Sequence, residues 1–398
     1  MKIIIHKGSH QIGGSVTEIS TDKARIIIDM GADLPNSNSS SGKPFGIDGV
    51  TFGERKCNAV LLTHYHGDHL GLTDELLPEI PVYIGRVAKE IFLLLSERMN
   101  YYDKDKPRKL DRIKNFNTFK AEDKLEFGDI IVTPFFIDHS AYDAYMFLIE
   151  AEGKKILHTG DFRTHGFRGK GLMKTLRRYV GQVDILITEG TLLSRGKDEI
   201  VSEAQLQRQV RNLMVKNKNV FILCSSTNID RIFSFIHANP HGRPFVCDQY
   251  QKSVLDLVKK DGSVHSSFYD YNFVYDYGHN LDKLMDEKGF CMLIRTSDYF
   301  KPFLKKYKND CVIIYSMWHG YLSGKAKNDS LVEFLAPYKY IIKHTSGHAT
   351  SNAIKDVCNT VNPQIAVIPI HTEDPNALQN ICTGHNVKVL ADGEVFSF

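Results

Sequence analysis

No stretch of the 398-residue chain approaches the roughly 20 apolar residues that span a bilayer, which argues against a membrane-spanning helix. Cysteine is scarce and unorganised: seven residues, at 57, 224, 247, 291, 311, 358 and 382, with no C-x-x-C pair. The odd count and the spacing argue against a disulfide framework or a thiolate zinc knuckle and leave most cysteines as small buried hydrophobes. An excess of one charge is missing too. Fifty Lys and Arg against 47 Asp and Glu give +3, without the whole-surface basic footprint of a strong nucleic-acid binder, so any polyanion site must be local. There is no internal repeat and no low-complexity tract. The apolar run at Met1 to His6 is too short for a signal peptide and reads as a strand, so a cytoplasmic protein is expected. With 42% hydrophobic and 24% charged residues the composition is that of an ordinary globular chain of two or three domains.

What is present is a change of rhythm. Up to residue 160, short β-branched runs alternate with turn residues: Lys2 to His6, Val16 to Ser20, Arg25 to Asp29, Ala59 to Thr63, Ile130 to Ile137, Tyr145 to Glu150 and Lys154 to His158. These read as strands, sheet on sheet. A Ser/Gly/Pro loop from Pro35 to Gly49 and a helical segment from Arg86 to Lys114 interrupt them; the charged run Lys104 to Lys109 reads as a solvated helix end. From about Ser194 helix and strand alternate, as in a parallel α/β unit. After Tyr338 come a strand at Tyr340 to Lys343, a helix at Ala349 to Thr360, a strand at Ile365 to Ile370 and a short strand pair up to Phe398. The expected division is 1–193 for a first domain, 194–338 for an inserted α/β domain and 339–398 for completion of the first.

The 17 histidines are not spread evenly. Thr63-His64-Tyr65-His66-Gly67-Asp68-His69 follows directly on the strand at Ala59 to Leu62. Residues two apart on an extended segment point the same way, so His64 and His66 can share one metal, and Asp68 with His69, at the turn into a helix, face a second. Imidazoles with a carboxylate suit zinc or a similar first-row ion.

This H-x-H-x-D-H motif resembles the metallo-β-lactamase-fold hydrolases. Asp29, in Ile28-Asp29-Met30-Gly31, matches that family's early aspartate; His139, in Asp138-His139-Ser140, its third-histidine motif; and Asp161, in Thr159-Gly160-Asp161, its bridging aspartate. Each alone would pass for a turn or loop residue, and the joint match carries the weight. The resemblance implies one metal on His64, His66 and His139 and another on Asp68 and His69, with Asp161 bridging and Asp29 orienting ligands. A large α/β insert after the bridging aspartate resembles the β-CASP nucleases. Glu189 in Thr188-Glu189-Gly190-Thr191 matches their motif A, His348 in Ser346-Gly347-His348 motif B and His371 in Ile370-His371-Thr372 motif C.

The fold so implied is a metallo-β-lactamase αββα sandwich with an inserted α/β β-CASP domain. The activity implied is cleavage of single-stranded RNA to 5′-phosphate products by a two-metal-activated hydroxide. Asp68, Glu189, His348 and Asp29 form the catalytic set, with His371 completing the second metal's ligands and His348 as general acid oriented by Glu189. Two Zn2+ are expected, with Mn2+ or Mg2+ as alternatives; no membrane partner is expected and a homodimer is left open. Thr345 and Ser346, ahead of a helix beginning near Ala349, and Ser225 and Ser226, ahead of a helix carrying Arg231, are candidate phosphate contacts at helix N-termini, or ordinary caps. Arg163, beside His165 and Arg168, is a further phosphate candidate. Phe162, Trp318 and Tyr321 are candidate stacking platforms, though core packing is the blander reading. Competing readings are a metallo-hydrolase of a small ester, thioester or cyclic nucleotide, a DNA nuclease of the same fold, and a silent scaffold.

Overall fold

A computed structural model describes residues 1–34, 45–105, 107–195, 200–262, 266–324 and 326–398. Residues 35–44 of the predicted loop lie outside the described residues. The chain forms two units, one of Met1–Asp198 with Gly347–Phe398, the other of Glu199–Ser346. Among the described residues no helix is long and apolar enough to cross a membrane.

The first unit is built on two sheets. In chain order its strands are β1 (Lys2–Lys7), β2 (Val16–Ser20), β3 (Arg25–Ile28), β4 (Ala59–Leu61), β5 (Val82–Gly85), β6 (Asn117–Phe119), β7 (Leu125–Phe127), β8 (Ile130–Phe136), β9 (Tyr145–Ala151), β10 (Lys154–His158) and β11 (Ile185–Glu189). Numbered after the six strands of the second unit come β18 (Ala366–Ile370) and β19 (Val395–Ser397). The first sheet has the order β19-β1-β2-β3-β4-β5-β6 and the second β18-β11-β10-β9-β8-β7. Alternate residues from both, among them Ile3, Ile26, Leu61, Val132, Ile149 and Ile187, meet in one buried core. The far face of the second sheet is covered by the helix Ser351–Val361. Ile354, Val357, Cys358 and Val361 recur on one face of it and pack on Leu157, Leu186 and Val367. Thr350 caps its first turn by accepting from the Ala353 amide, and Asn362 ends it in the left-handed conformation.

Strand direction decides where chemistry can gather. β3 and β4 run parallel in register Ile28 to Leu61, and β10, β11 and β18 run parallel with His158 opposite Ile187 and Glu189 opposite Ile370. The residues following these strands therefore leave within their sheet at one edge. They are Asp29, the His64 to His69 run, Asp161, Glu189 and His371.

The second unit is a six-stranded, all-parallel sheet. It comprises β12 (Asn219–Leu223), β13 (Phe245–Cys247), β14 (Val274–Asp276), β15 (Phe290–Ile294), β16 (Val312–Tyr315) and β17 (Tyr340–Ile342), in the order β14-β13-β15-β12-β16-β17. Continuous burial along β12 and β15 is what a sheet covered on both faces requires. Its first helix, Glu203–Lys216, begins with a reciprocal capping box between Ser202 and Gln205.

Three expectations change. Tyr340–Ile342 pairs in parallel with β16, so this strand extends the insert's sheet, and the second unit runs to Ser346, past the expected boundary at 338. The helix expected from Arg86 to Lys114 stops at Tyr102 and restarts at Leu110, with Pro107, which cannot continue a helix, between the two. Of the expected terminal strand pair only Val395–Ser397 forms a strand, against β1; Val387 contributes an isolated bridge to Val367. The seven cysteines are free, and burial pushes the thiols of Cys224, Cys247 and Cys291 up to about 12, which keeps them inert.

Arg231 also corrects an expectation. Its side chain is wholly buried, with Nε donating to Glu203 Oε2 at 2.9 Å, Nη2 to Glu203 Oε1 at 2.7 Å and Nη1 to Ser316 Oγ at 2.8 Å. Nη2 also donates to the Thr345 carbonyl at 2.8 Å, while the Thr345 hydroxyl donates to the Val201 carbonyl at 2.6 Å. A guanidinium committed in this way holds the second unit together and is not available to a phosphate. Arg231→Met is expected to destabilise that unit by about 3–5 kcal/mol because it strands the Glu203 carboxylate, and adding Glu203→Leu should restore most of the loss. Thermal unfolding of the single and double variants checks both.

Candidate two-metal active site

The turn that carries the motif is clamped by backbone hydrogen bonds. Met30 N donates to the His69 carbonyl at 2.7 Å, Ala32 N to that of Gly67 at 3.0 Å and Ser15 N to that of Asp68 at 3.0 Å. Only glycine fits at 31, where a Cβ would fall 1.8 Å from the Asp68 carbonyl oxygen. Asp29 and His371 hold φ of +62° and +53°, a left-handed conformation that side-chain-bearing residues rarely adopt. Each such position costs of order 1–3 kcal/mol and tends to mark a functional site.

Five histidines converge, and the outer hydrogen bonds of four of them fix which nitrogen faces inward. His139 Nδ1 lies 2.8 Å from the Gly347 carbonyl, which can only accept, so in the neutral ring Nε2 keeps its lone pair. The Thr63 hydroxyl donates to Asp29, 2.9 Å from Oδ2, and therefore accepts from His64 Nδ1 at 3.0 Å. His69 Nδ1 donates to Asp29 Oδ2 at 2.7 Å. The Thr191 hydroxyl donates to the His371 carbonyl at 3.2 Å and accepts from His371 Nδ1 at 2.8 Å. The inward nitrogens then crowd against another ring nitrogen or a carboxylate oxygen. His64 Nε2 and His139 Nε2 lie 3.0 and 3.2 Å from His66 Nδ1, His69 Nε2 lies 3.1 Å from Asp161 Oδ2, and His371 Nε2 lies 3.2 Å from Asp68 Oδ2.

Nitrogen and carboxylate donors crowded in this way suit bound cations. His64, His66 and His139 form one donor group, and Asp68, His69 and His371 a second; Asp161 makes further groups with members of each. Within each group the donor atoms lie within 4.8 Å of one another. Asp161 Oδ1 is buried without a hydrogen-bond partner among the described residues, a cost that a bound ion would remove. Nitrogen and carboxylate donors in these groups fit two first-row divalent ions.

The electrostatics divide the imidazoles: burial would lower His69, but the charges of Asp161 and Asp29 outweigh it and raise its pKa, so without a metal its ring donates to Asp161. Burial lowers His64, His66 and His139, His66 to about 4, keeping them neutral and able to ligate. Burial would raise the carboxyls of Asp68 and Asp161, but the facing imidazoles of His371 and His69 outweigh it and hold both below the usual range.

Beside this cluster His348 Nδ1 sits 3.1 Å from Glu189 Oε2 and 3.5 Å from Asp161 Oδ2. Glu189 is itself pinned, its Oε1 accepting from the amides of Phe162 at 2.8 Å and Ala349 at 3.2 Å. Burial lowers His348, and the charges of Glu189 and Asp161 more than offset this, so its pKa is raised. All these side chains belong to the first unit.

Other expected contacts lie elsewhere. Arg163 is wholly buried, with Nε on Asp138 Oδ1 at 2.9 Å, so it braces the loop carrying His139 and does not face a phosphate. Phe162 is packed in the core and is no stacking platform. The helix after His348 starts at Ser351 with Thr350 as its cap, so Thr345 and Ser346 are not at its N-terminus; both are buried. Ser225 is exposed and Ser226 half-buried at the turn between β12 and the helix Ile229–Ala238. The sequence reading missed Thr63, Thr191 and the Gly347 carbonyl, which aim the ligands. For Thr63 and Thr191 the available signal was a hydroxyl adjoining or near an assigned residue.

Comparison with known proteins adds the family. Residues 12–178 match the metallo-beta-lactamase superfamily, and residues 340–383 match a Zn-dependent metallo-hydrolase RNA specificity domain. The chain is 25% identical to ribonuclease J of Helicobacter pylori (strain ATCC 700392 / 26695) over 407 residues, 94% of this chain and 56% of that protein. It is likewise 25% identical to ribonuclease J of Mycoplasma pneumoniae over 435 residues, 99% of this chain and 73% of that one. The chain thus spans about 56% of the length of the Helicobacter relatives it matches. A crystal structure of a protein of unknown function from Enterococcus faecalis V583 superposes with a TM-score of 0.77 at 20% identity over 99% of each chain, a likeness of fold. The chain thus carries a metallo-beta-lactamase superfamily match and an RNA-specificity-domain match, and its similarity to proteins named ribonuclease J over most of its length is consistent with the RNase J-like β-CASP branch.

Proposed function

We propose that the protein is a metal-dependent ribonuclease that cuts single-stranded RNA and leaves 5′-phosphates. The observation that carries this is the pair of donor triads linked through Asp161, with the Glu189-held His348 beside them. When bound, two Zn2+, or Mn2+ or Mg2+ in their place, would supply a water activated at neutral pH and neutralise the nonbridging phosphate oxygens. His64, His66 and His139 would hold one ion and Asp68, His69 and His371 the other. Asp161 would bridge them, and Asp29 and Thr63 would fix the imidazoles from behind. His348, with Nδ1 committed to Glu189, would deliver a proton from Nε2 to the departing 3′ oxygen. On the second unit Ser225 and Ser226 would contact phosphate through the turn they form. RNA is favoured over DNA by the RNA-specificity match at residues 340–383, and the resemblance to the β-CASP branch, whose DNA-processing members typically carry an aliphatic residue at the motif held here by His371, implies the same.

The test is a substrate panel with metal-loaded protein. End-labelled single-stranded RNAs bearing 5′-monophosphate or 5′-hydroxyl are expected to be cut with 5′-phosphate products, while single-stranded DNA and chromogenic carboxylic esters stay intact. Mononucleotide products mean an exonuclease and discrete fragments an endonuclease. Hydrolysis of the esters with RNA untouched would overturn the reading.

A further inference from the structure

The last residue of β8, Phe136, is 53% exposed, although its strand neighbours Thr133 to Phe135 are buried. The ring is not loose. Phe136 lies directly opposite Tyr145 in the β8–β9 ladder, so both side chains leave the same face, and the rings stack with centroids 4.7 Å apart at 28°. Tyr145 is fixed from three directions. Its hydroxyl donates to Asp143 Oδ1 at 2.7 Å, Phe119 meets its ring edge-on at 4.8 Å, and its amide donates to the Thr63 carbonyl at 3.0 Å. Asp143 is locked in turn, its Oδ2 accepting from the amides of Val87 and Ala88 at 2.8 and 3.0 Å. One face of Phe136 is thus seated on an immobile ring.

Its position ties it to the metal cluster within the first unit. Phe136 stands three positions before His139, which bounds their Cα separation at about 11 Å even for a fully extended chain. Tyr145, whose ring lies beneath it, donates its backbone amide to the carbonyl of Thr63, the residue just before His64. Leaving the outer part of an aromatic ring in water costs free energy in proportion to its apolar area, of order 25 cal/mol per Å2. A pre-positioned aromatic face loses little side-chain freedom when something stacks on it.

We propose that Phe136 is the platform on which an RNA base flanking the cleaved phosphate stacks. This rests on the ribonuclease reading above and adds a substrate-binding residue to it. Stacking on a π-face is tolerant of base identity, so Phe136 would contribute affinity and register without sequence preference.

The test compares Phe136→Leu, which keeps apolar bulk without a π-face, with Phe136→Trp, which enlarges that face. Each is assayed in steady state on single-stranded RNA and on bis(p-nitrophenyl) phosphate, which has no base to place. The leucine variant is expected to raise KM for RNA by about five-fold or more, in line with the loss of one base–aromatic stack, with kcat within two-fold of wild type. Its turnover of the small diester should be unchanged, and the tryptophan variant should match or lower the wild-type KM on RNA. An unaltered RNA KM in the leucine variant, or an equal loss on both substrates, overturns the stacking role alone. A wild type active on the small diester but inert on RNA overturns the ribonuclease reading and this proposal with it.

Discussion

Asp161→Ala should lower RNA cleavage by more than about 10³-fold, beyond what removing a single charge-stabilising donor costs. Its carboxylate has one oxygen 3.1 Å from His69 Nε2 and 3.8 Å from His371 Nε2, and the other without a partner among the described residues, so both metal positions depend on it. The bound metal should fall below two ions per chain, which elemental analysis of purified protein measures. The metal-free variant loses the contact of Oδ2 with His69 Nε2 and should be somewhat less stable than metal-free wild type, yet still folded. A folded circular-dichroism spectrum separates loss of a ligand from loss of activity by unfolding. A variant that retains two ions and cuts RNA within ten-fold of wild type would remove Asp161 from the bridging position.

His348→Ala is expected to slow the single-turnover step on RNA by about 10²–10⁴-fold while RNA affinity stays within about two-fold. The discriminating substrate is a diester with a nitrophenolate leaving group, which departs without needing a proton. If His348 protonates the leaving oxygen, the variant's deficit should shrink to a few-fold there. Equal slowing on both substrates would mean that His348 acts on the metal cluster, from which it is only 3.5 Å away at Asp161, and would take the acid role from it. Glu189→Gln should give a loss of the same kind, since its one oxygen is claimed by the amides of Phe162 and Ala349, which turns its NH2 toward His348 Nδ1, and the charge that favours the protonated ring is gone.

Of the residues that meet at the cluster, His64, His66, Asp68 and His69 were legible from their spacing after a strand, whereas Asp29, His139, Asp161, Glu189, His348 and His371 stood out only through their joint match to the motifs of a known fold family. Period-two spacing put His64 and His66 on one side, and apolar runs ending at residues 28, 158, 187 and 370 marked where neighbouring strands release the chain. What stayed hidden depends on pairings no local pattern records. His139 is oriented by the carbonyl of Gly347, 208 residues away, and His371 by the hydroxyl of Thr191, 180 residues away. Charge misled for a related reason. A sequence shows the guanidinium of Arg163 or Arg231 but not the carboxylate that claims it, and both proved to be internal braces. Tyr340–Ile342 reads as a strand in any context; only its ladder with β16 decides which sheet it joins.

The left-handed backbone at Asp29 and His371 makes the site readable in lineages that have lost it. Glycine at either position would relax the main chain, and what opposes that exchange is the side chain: His371 through its place in the cluster, and Asp29 also through the buried Thr63 amide that it accepts at 2.8 Å. A relative that keeps the two sheets but carries glycine at 29 or 371 is one in which stability has overtaken chemistry. The two positions thus serve as a marker for separating working members of the fold from those retained only as scaffolds.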